Sequence, residues 1–203
     1  NKLDEESLKQ VVECSEEIAK LSEPDPEYMP PLEPQDYREV KTYFDQTAEF
    51  TPTGRADAIK SSVQQCAKEG IRGAGSFSNG YSFSAFANSK GLFAYHKSSS
   101  ASFSNTAVTD DSSGKAESSS RNVVQVDPIE ATENAIQKAK TSSNPREISP
   151  GKYTVVLEPT AVRDILSYIP YTMDAKAAHE GRNAFSGKEG KKVGAESITI
   201  RSQ

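Results

Sequence analysis

Apolar residues are scarce in this 203-residue chain: AVILMFWYC amount to 34%, and mean hydropathy is −0.66. That is low for a self-contained globular domain. Long polar insertions, or separation from a packing partner, would each account for it. No apolar run approaches the roughly 20 residues of a membrane-spanning helix, and no signal-peptide pattern is present. Basic residues are outnumbered, 24 Lys and Arg against 29 Asp and Glu, for a net charge of −5. No field therefore favours nucleic acid or an anionic membrane, and neither is an expected partner. Cysteine is limited to Cys14 and Cys66. Each falls on the apolar face of an expected helix and reads as a buried free thiol in a reducing, cytoplasmic setting. Their spacing gives no zinc pair. A Gly-x-Ser-x-Gly elbow is missing, and the two histidines, His96 and His179, offer no triad.

What is present is ordered by period. Asp4 can cap a helix whose apolar face is Leu8, Val11, Val12, Ile18 and Ala19. The prolines from Pro24 to Pro34 force an extended connector. Further helices are expected over 36–46 and from about Thr53 to Glu69, the latter with Ala56, Ile59, Val63, Cys66 and Ala67 inward and Gly70 ending it. From Ile71 to Val126 the period changes to two. Turns are expected at Ser78-Asn79-Gly80, Asn88-Ser89-Lys90-Gly91 and Asp110 to Gly114, giving an antiparallel meander with one greasy and one Ser-rich face. Asp127-Pro128-Ile129-Glu130 reads as N-cap, N1 proline and capping box of the next helix. Glu147 to Pro150 is a hinge-like loop. Beyond it come a buried strand at Tyr153–Leu157, a helix opened by Pro159 and stopped by Pro170, and a helix over 173–181.

The sharpest chemical candidate is His179-Glu180 near the end of that last helix. Zinc peptidases begin their metal site with such a pair, because imidazole binds the ion and the carboxylate activates its water. A second imidazole is needed one turn on, and positions 183 and 184 are Asn and Ala. The plain structural reading is an exposed helix end, with His179 favoured by the dipole and Glu180 paired to Arg182 or Lys176. His96 on a strand face reads as packed or solvated. Gly187-Lys188-Glu189-Gly190-Lys191 lacks P-loop spacing and precedes an expected strand, not a helix. Asp110-Asp111 reads as a solvated turn.

Several blocks resemble the TldD/PmbA family, often labelled modulators of DNA gyrase and assigned to zinc-dependent peptidases. They are Cys66-Ala67-Lys68-Glu69-Gly70 before Gly73-Ala74-Gly75, the turn Ala87 to Leu92, Pro150-Gly151-Lys152-Tyr153-Thr154-Val155-Val156-Leu157-Glu158-Pro159, and Glu180-Gly181-Arg182 followed by Phe185-Ser186-Gly187-Lys188. The likeness spans nearly the whole chain. It implies zinc as the family cofactor, His179 as a metal ligand and Glu180 as the general base. It places the second ligand at Ala184 and a third, a cysteine, in a C-terminal half that the chain does not include. Neither Cys14 nor Cys66 matches that cysteine. Members are about twice as long, and PmbA-type partners lacking the metal motif pair with a TldD-type subunit.

The expected fold is α+β: an antiparallel β-meander flanked by helices, followed by the start of a second β-rich domain. Residues 1–34 are a helix and Pro-rich connector, 35–146 a central domain, and 151–203 the start of a catalytic-type domain. Residue 1 is Asn, and Ser197–Arg201 reads as an interrupted strand, so a fragment of a longer protein is expected. The expected function is a subunit of a zinc-peptidase-type complex acting on unfolded or extended peptides, binding no zinc itself, beside a paralogue in a hetero- or homodimer. The alternatives are a self-sufficient metallopeptidase whose remaining ligands lie elsewhere, and a non-enzymatic peptide-binding scaffold. The gyrase label has no physical support in an acidic chain with no basic face.

Overall fold

The computed structural model describes residues 2–200, apart from the side chains of Pro170 and Tyr171. The chain divides into two compact units, Asn1–Arg146 and Glu147–Gln203.

In the first unit, α1 (Glu5–Leu21) starts at Asp4, whose carboxylate accepts from the Ser7 N–H at 2.9 Å. None of its residues is buried, so Cys14 is exposed and only Cys66 is the buried thiol expected from the sequence. The helix expected over 36–46 is replaced by extended chain and one short turn, α2 (Asp45–Ala48). The reason is tertiary. Thr42 accepts from the Ser99 N–H at 2.9 Å through its carbonyl and donates from Oγ1 to the Lys97 carbonyl at 2.7 Å. An extended segment rich in β-branched and aromatic residues thereby satisfies its backbone against a strand, which a helix there would forfeit.

Helix α3 (Pro52–Lys68) is capped by Thr51, two residues before the expected position, with Pro52 at its first turn. Gly70, at φ +68°, closes it: its N–H reaches the Ala67 carbonyl and the Ile71 N–H reaches that of Cys66. Ser62 and Cys66 are buried, whereas Val63 is exposed, so the inward face is turned slightly from the one the sequence suggests.

The sheet is an antiparallel meander in the order β1 (Arg72–Ala87), β2 (Phe93–Val108), β3 (Ser113–Ser120). No turn forms at Ser78-Asn79-Gly80; β1 runs straight through, with Asn79 opposite Ala101 and Gly80 opposite Ser100. Asn79 faces the core instead, where its amide donates to the carbonyls of Thr47 (2.7 Å) and Phe50 (3.2 Å) and its oxygen accepts from Arg55. The real hairpin turn is at Asn88–Gly91, with Asn88 Oδ1 accepting from two N–H groups and Gly91 at φ +85°. The last strand stops at Ser120, short of the expected Val126, because an Asn122-capped 3-10 turn covers Val123–Gln125.

Alternation along β2 sends Ala101, Phe103, Asn105 and Ala107 inward, all buried. Helix α4 (Pro128–Thr141) lies on this face through Ala131, Ala135, Ile136 and Ala139. It approaches so closely at Gly114 that a β-carbon there would sit 2.2 Å from the Ala135 carbonyl oxygen. Asp127 caps α4 by accepting from Ile129 and Glu130, while its own N–H goes to Ser118 Oγ (2.9 Å) in place of a reciprocal Glu130 bond.

The second unit holds α5 (Pro159–Leu166), α6 (Ile169–Thr172) and α7 (Ala175–His179). Pro170 stands in the first turn of α6 and does not stop a longer helix. The buried strand expected at Tyr153–Leu157 is exposed coil, with Val156 94% exposed. A strand is stabilised by a hydrogen-bonded neighbour, and among the described residues none pairs with this segment. Residues 197–200 are turn and coil, and Arg201, the end of the strand expected there, lies outside the described residues.

Candidate functional site

His179 is the last residue of α7 and Glu180 its C-cap. Asp174 starts the helix by accepting from the Ala177 N–H at 2.8 Å. Gly181, at φ +78°, then reverses the chain: its N–H reaches Ala178 O at 3.2 Å, and the Arg182 N–H reaches Ala177 O at 2.8 Å. This pair of bonds satisfies the terminal carbonyls and ends the helix. Position 184 consequently lies off the helix that carries His179.

Arg182 turns back onto Glu180. Its Nε is 2.7 Å from Glu180 Oε2, and Nη2 bonds the same oxygen. Of the two partners weighed for Glu180, the observed ion pair is with Arg182. Both side chains are exposed enough for water to screen the pair, which limits it to about 0–1 kcal/mol. Its importance is positional: the carboxylate is occupied by a guanidinium. Among the described residues the His179 imidazole makes no hydrogen bond.

Asn183 organises the loop that follows. Its amide donates to the carbonyls of Thr172 (3.0 Å) and Asp174 (2.9 Å), and its oxygen accepts from the Phe185 N–H (2.9 Å). Ser186 Oγ closes the turn on the Asn183 backbone. From the sequence alone Asn183 stands only as a vacant ligand position, without this role. The signal was available, since asparagine side chains commonly close a turn on the backbone two residues on, and Ser186 and Gly187 follow here three and four residues later. Between α6, α7 and this loop opens a hollow of about 330 Å³, lined by Met173, Ala178, Phe185 and Val193, with Lys188 and Lys191 among its walls.

A catalytic zinc site takes three protein ligands and leaves one position open. Here His179 is followed by a carboxylate already paired to Arg182, and position 184 offers a methyl group. Among the described residues no group of three His, Cys, Asp or Glu side chains could hold a metal ion. Cys66 is buried in the first unit with Asn105 Nδ2 3.6 Å from its sulfur. The residues present do not complete a zinc site.

The remaining candidates have ordinary settings. His96 is exposed, with Nε2 3.5 Å from Thr42 Oγ1. Asp111 accepts from the Asn144 N–H at 2.7 Å and from Thr109 Oγ1 at 3.3 Å. In the Gly187–Lys191 loop, Lys191 Nζ bonds the Gly187 carbonyl, and turns follow where a phosphate cradle needs a helix. No described helix is long and apolar enough to cross a membrane.

The description "PmbA/TldA metallopeptidase central domain" fits residues 1–142, and "PmbA/TldA metallopeptidase C-terminal domain" fits residues 150–203. The helices and antiparallel sheet make this an α+β chain, and both family descriptions together span nearly all of it. The chain belongs to the PmbA/TldD family.

Among solved structures, a proposed modulator of DNA gyrase from Thermotoga maritima is similar with a TM-score of 0.75 and 22% identity over 87% of this chain and 42% of that one. Another, from Bacteroides thetaiotaomicron, gives 0.78 and 17% over 93% and 46%. TldE from Thermococcus kodakarensis gives 0.73 and 20% over 93% and 44%. At these identities the likeness concerns the fold. The chain spans less than half the length of these relatives. No curated protein matches it.

Proposed function

We propose that this chain is a subunit of a TldD/PmbA-type zinc-peptidase complex acting on unfolded or extended peptides, and that it has no complete metal site of its own. The observation that carries the reading is the end of α7. Gly181 terminates the helix directly after Glu180, Arg182 occupies the carboxylate, and Ala184 stands where the family resemblance puts a second ligand. Its partner is a paralogue with a complete motif, and the setting is cytoplasmic, without nucleic acid or membrane. An extended peptide suits strand addition at a sheet edge, where main-chain bonds supply affinity. Residues 1–34 act as helix and connector, 35–146 as central domain, and 151–203 as the start of the catalytic-type domain.

The test is elemental analysis and peptidase assay of the full-length protein, purified without chelators. The expected result is no stoichiometric zinc, and turnover only when the motif-complete paralogue is added. Near-stoichiometric zinc lost on His179→Ala would overturn it. The exposed, unbonded imidazole of His179 favours a second reading, in which the chain is a metallopeptidase in its own right with ligands from outside these 203 residues. That reading requires activity of the protein alone, abolished by Glu180→Gln. A non-enzymatic scaffold would bind extended peptides with no turnover in either assay.

A further inference from the structure

The chain has one Asn-Gly pair, Asn79-Gly80, and it stands in the middle of β1 and not in a turn. In a loose chain such a pair is chemically unstable. Once the Gly80 nitrogen loses its proton to water it can attack Cγ of Asn79, because glycine has no β-carbon to shield that nitrogen. The new N–C bond closes a five-membered succinimide, the Cγ–Nδ2 bond breaks, and ammonia leaves with a proton taken from solvent. Water then opens either carbonyl of the ring, giving aspartate or isoaspartate. The sum is amide plus water giving acid plus ammonia, and nothing is oxidised or reduced.

Both reacting groups are held in this fold. The two amide hydrogens of Asn79 are donated to the carbonyls of Thr47 (2.7 Å) and Phe50 (3.2 Å), and Oδ1 accepts from Arg55. The nucleophile is held from the other side. β1 pairs with β2 without a bulge, with Gly80 opposite Ser100, and the Asn88 N–H meets the Leu92 carbonyl in the same register. Backbone direction alternates along a strand, so even-numbered residues of β1, Gly80 among them, turn their N–H toward β2. Extended backbone also sends the Asn79 side chain to the core face, away from the plane of the Gly80 nitrogen. Ring closure therefore requires that the strand pairing and the α2 contacts both be given up. α2 is the weaker restraint: it is four residues long and is tied down through the Thr47 hydroxyl, which bonds Val123 and Arg121.

We propose that Asn79-Gly80 is a self-modification site gated by the fold, silent while α2 and β2 hold it and converted irreversibly to aspartate or isoaspartate when the segment opens. The contacts that gate it all lie inside the first unit, so the gate does not depend on what covers that unit's surface, and it is independent of the peptidase reading. Either product records the opening. Aspartate brings no hydrogen to the Thr47 and Phe50 carbonyls, and isoaspartate adds an atom to the main chain and breaks the Gly80–Ser100 register. A molecule that has stayed open long enough cannot close as before.

The full-length protein, folded or in guanidinium chloride at one pH and temperature, is sampled over time. Peptides containing position 79 are followed by mass spectrometry for amide-to-acid conversion and for isoaspartate. Conversion in the folded protein should be slower by at least about tenfold, because only the open fraction reacts. Thr47→Val, with circular dichroism matching the parent, should speed the folded-state reaction at least about threefold and leave the denatured rate unchanged. At Gly80 a β-carbon meets nothing within 4 Å and φ is not positive, so Gly80→Ala folds as the parent does, and shielding of its nitrogen should slow conversion in denaturant. After dilution from denaturant, parent protein aged there should recover a smaller native fraction than Gly80→Ala aged in parallel. Equal rates in the folded and denatured protein, no conversion in denaturant, a folded Thr47→Val no faster than the parent, or full recovery of converted parent would each overturn the proposal.

Discussion

Thr47 is the most demanding test of how the short α2 is tied to the sheet. It is fully buried, and its hydroxyl makes two bonds: Oγ1 accepts from the Val123 N–H at 2.8 Å and donates to the Arg121 carbonyl at 2.9 Å. Thr47→Val keeps the shape and removes both. The Arg121 carbonyl retains a second donor, Ser99 Oγ at 2.8 Å, so it loses one bond of two, worth roughly 0.5–1.5 kcal/mol. The Val123 N–H keeps nothing, and a buried orphaned donor costs about 1–3 kcal/mol. The added apolar group returns about 0.8 kcal/mol. The net loss is about 2 kcal/mol, which for a chain of this size lowers Tm by roughly 4–8 °C. Thr47→Ser reverses the chemistry, keeping the hydroxyl and deleting a methyl group, for about 1 kcal/mol. Urea unfolding followed by circular dichroism should therefore rank Val below Ser at unchanged m-value. If Ser is equal to or worse than Val, the site is held by packing and the hydrogen-bond account is wrong.

Two further expectations rest on single contacts. Gly114→Ala places a β-carbon 2.2 Å from the Ala135 oxygen and 2.4 Å from the Ala139 nitrogen. Both are backbone atoms, so α4 must lift off the sheet, at a cost of about 1–3 kcal/mol or more by urea unfolding; an unchanged midpoint would mean that α4 does not pack there. Asp4 is held below its ordinary value of 3.8, first by the Ser7 N–H and then by the Ser7 hydroxyl. A depressed carboxyl stabilises the folded form above its unfolded value, and that contribution disappears as pH falls through the folded one. Amide protection in α1, taken relative to the intrinsic exchange rate at each pH, should accordingly fall below about pH 4, and Asp4→Asn, which caps without titrating, should remove that response; an identical response in both would refute it.

Local chemistry made much of the first unit legible. Asp127 with Pro128, Thr51 with Pro52, and Gly70 each determine a helix end through the few backbone groups beside them, and those ends lie at or near the expected residues. The two-residue period between Ile71 and Ser120 likewise gave the meander. What failed was whatever depended on a distant partner. Residues 36–44 have a helical pattern but are held extended by Thr42 against β2. Asn79-Gly80 looks like a hairpin turn, yet the Asn79 amide is bound by Thr47 and Phe50 some thirty residues earlier. Tyr153–Leu157 has strand composition and no described neighbour to pair with. A propensity states what a segment accepts; a hydrogen-bonding partner decides what it does.

The candidate site shows the same division at shorter range. The sequence located His179 and Glu180 at a helix end, and the Gly181 reversal does place them there. It could not weigh Arg182 against Lys176 as the partner of Glu180, because both lie within reach of a helix end and only the reversal brings Arg182 back over the carboxylate. In the sequence Asn183 stands where a second imidazole is needed. In the fold it ties α6, α7 and the following loop together through three bonds. An imidazole in its place has only two ring nitrogens, against the two donor hydrogens and one acceptor oxygen that the asparagine amide uses. Placing an imidazole at position 183 would thus undo the bonds that tie this loop to Thr172 and Asp174. This segment uses its polar groups in holding its own shape, and that is the physical basis of the proposal made above.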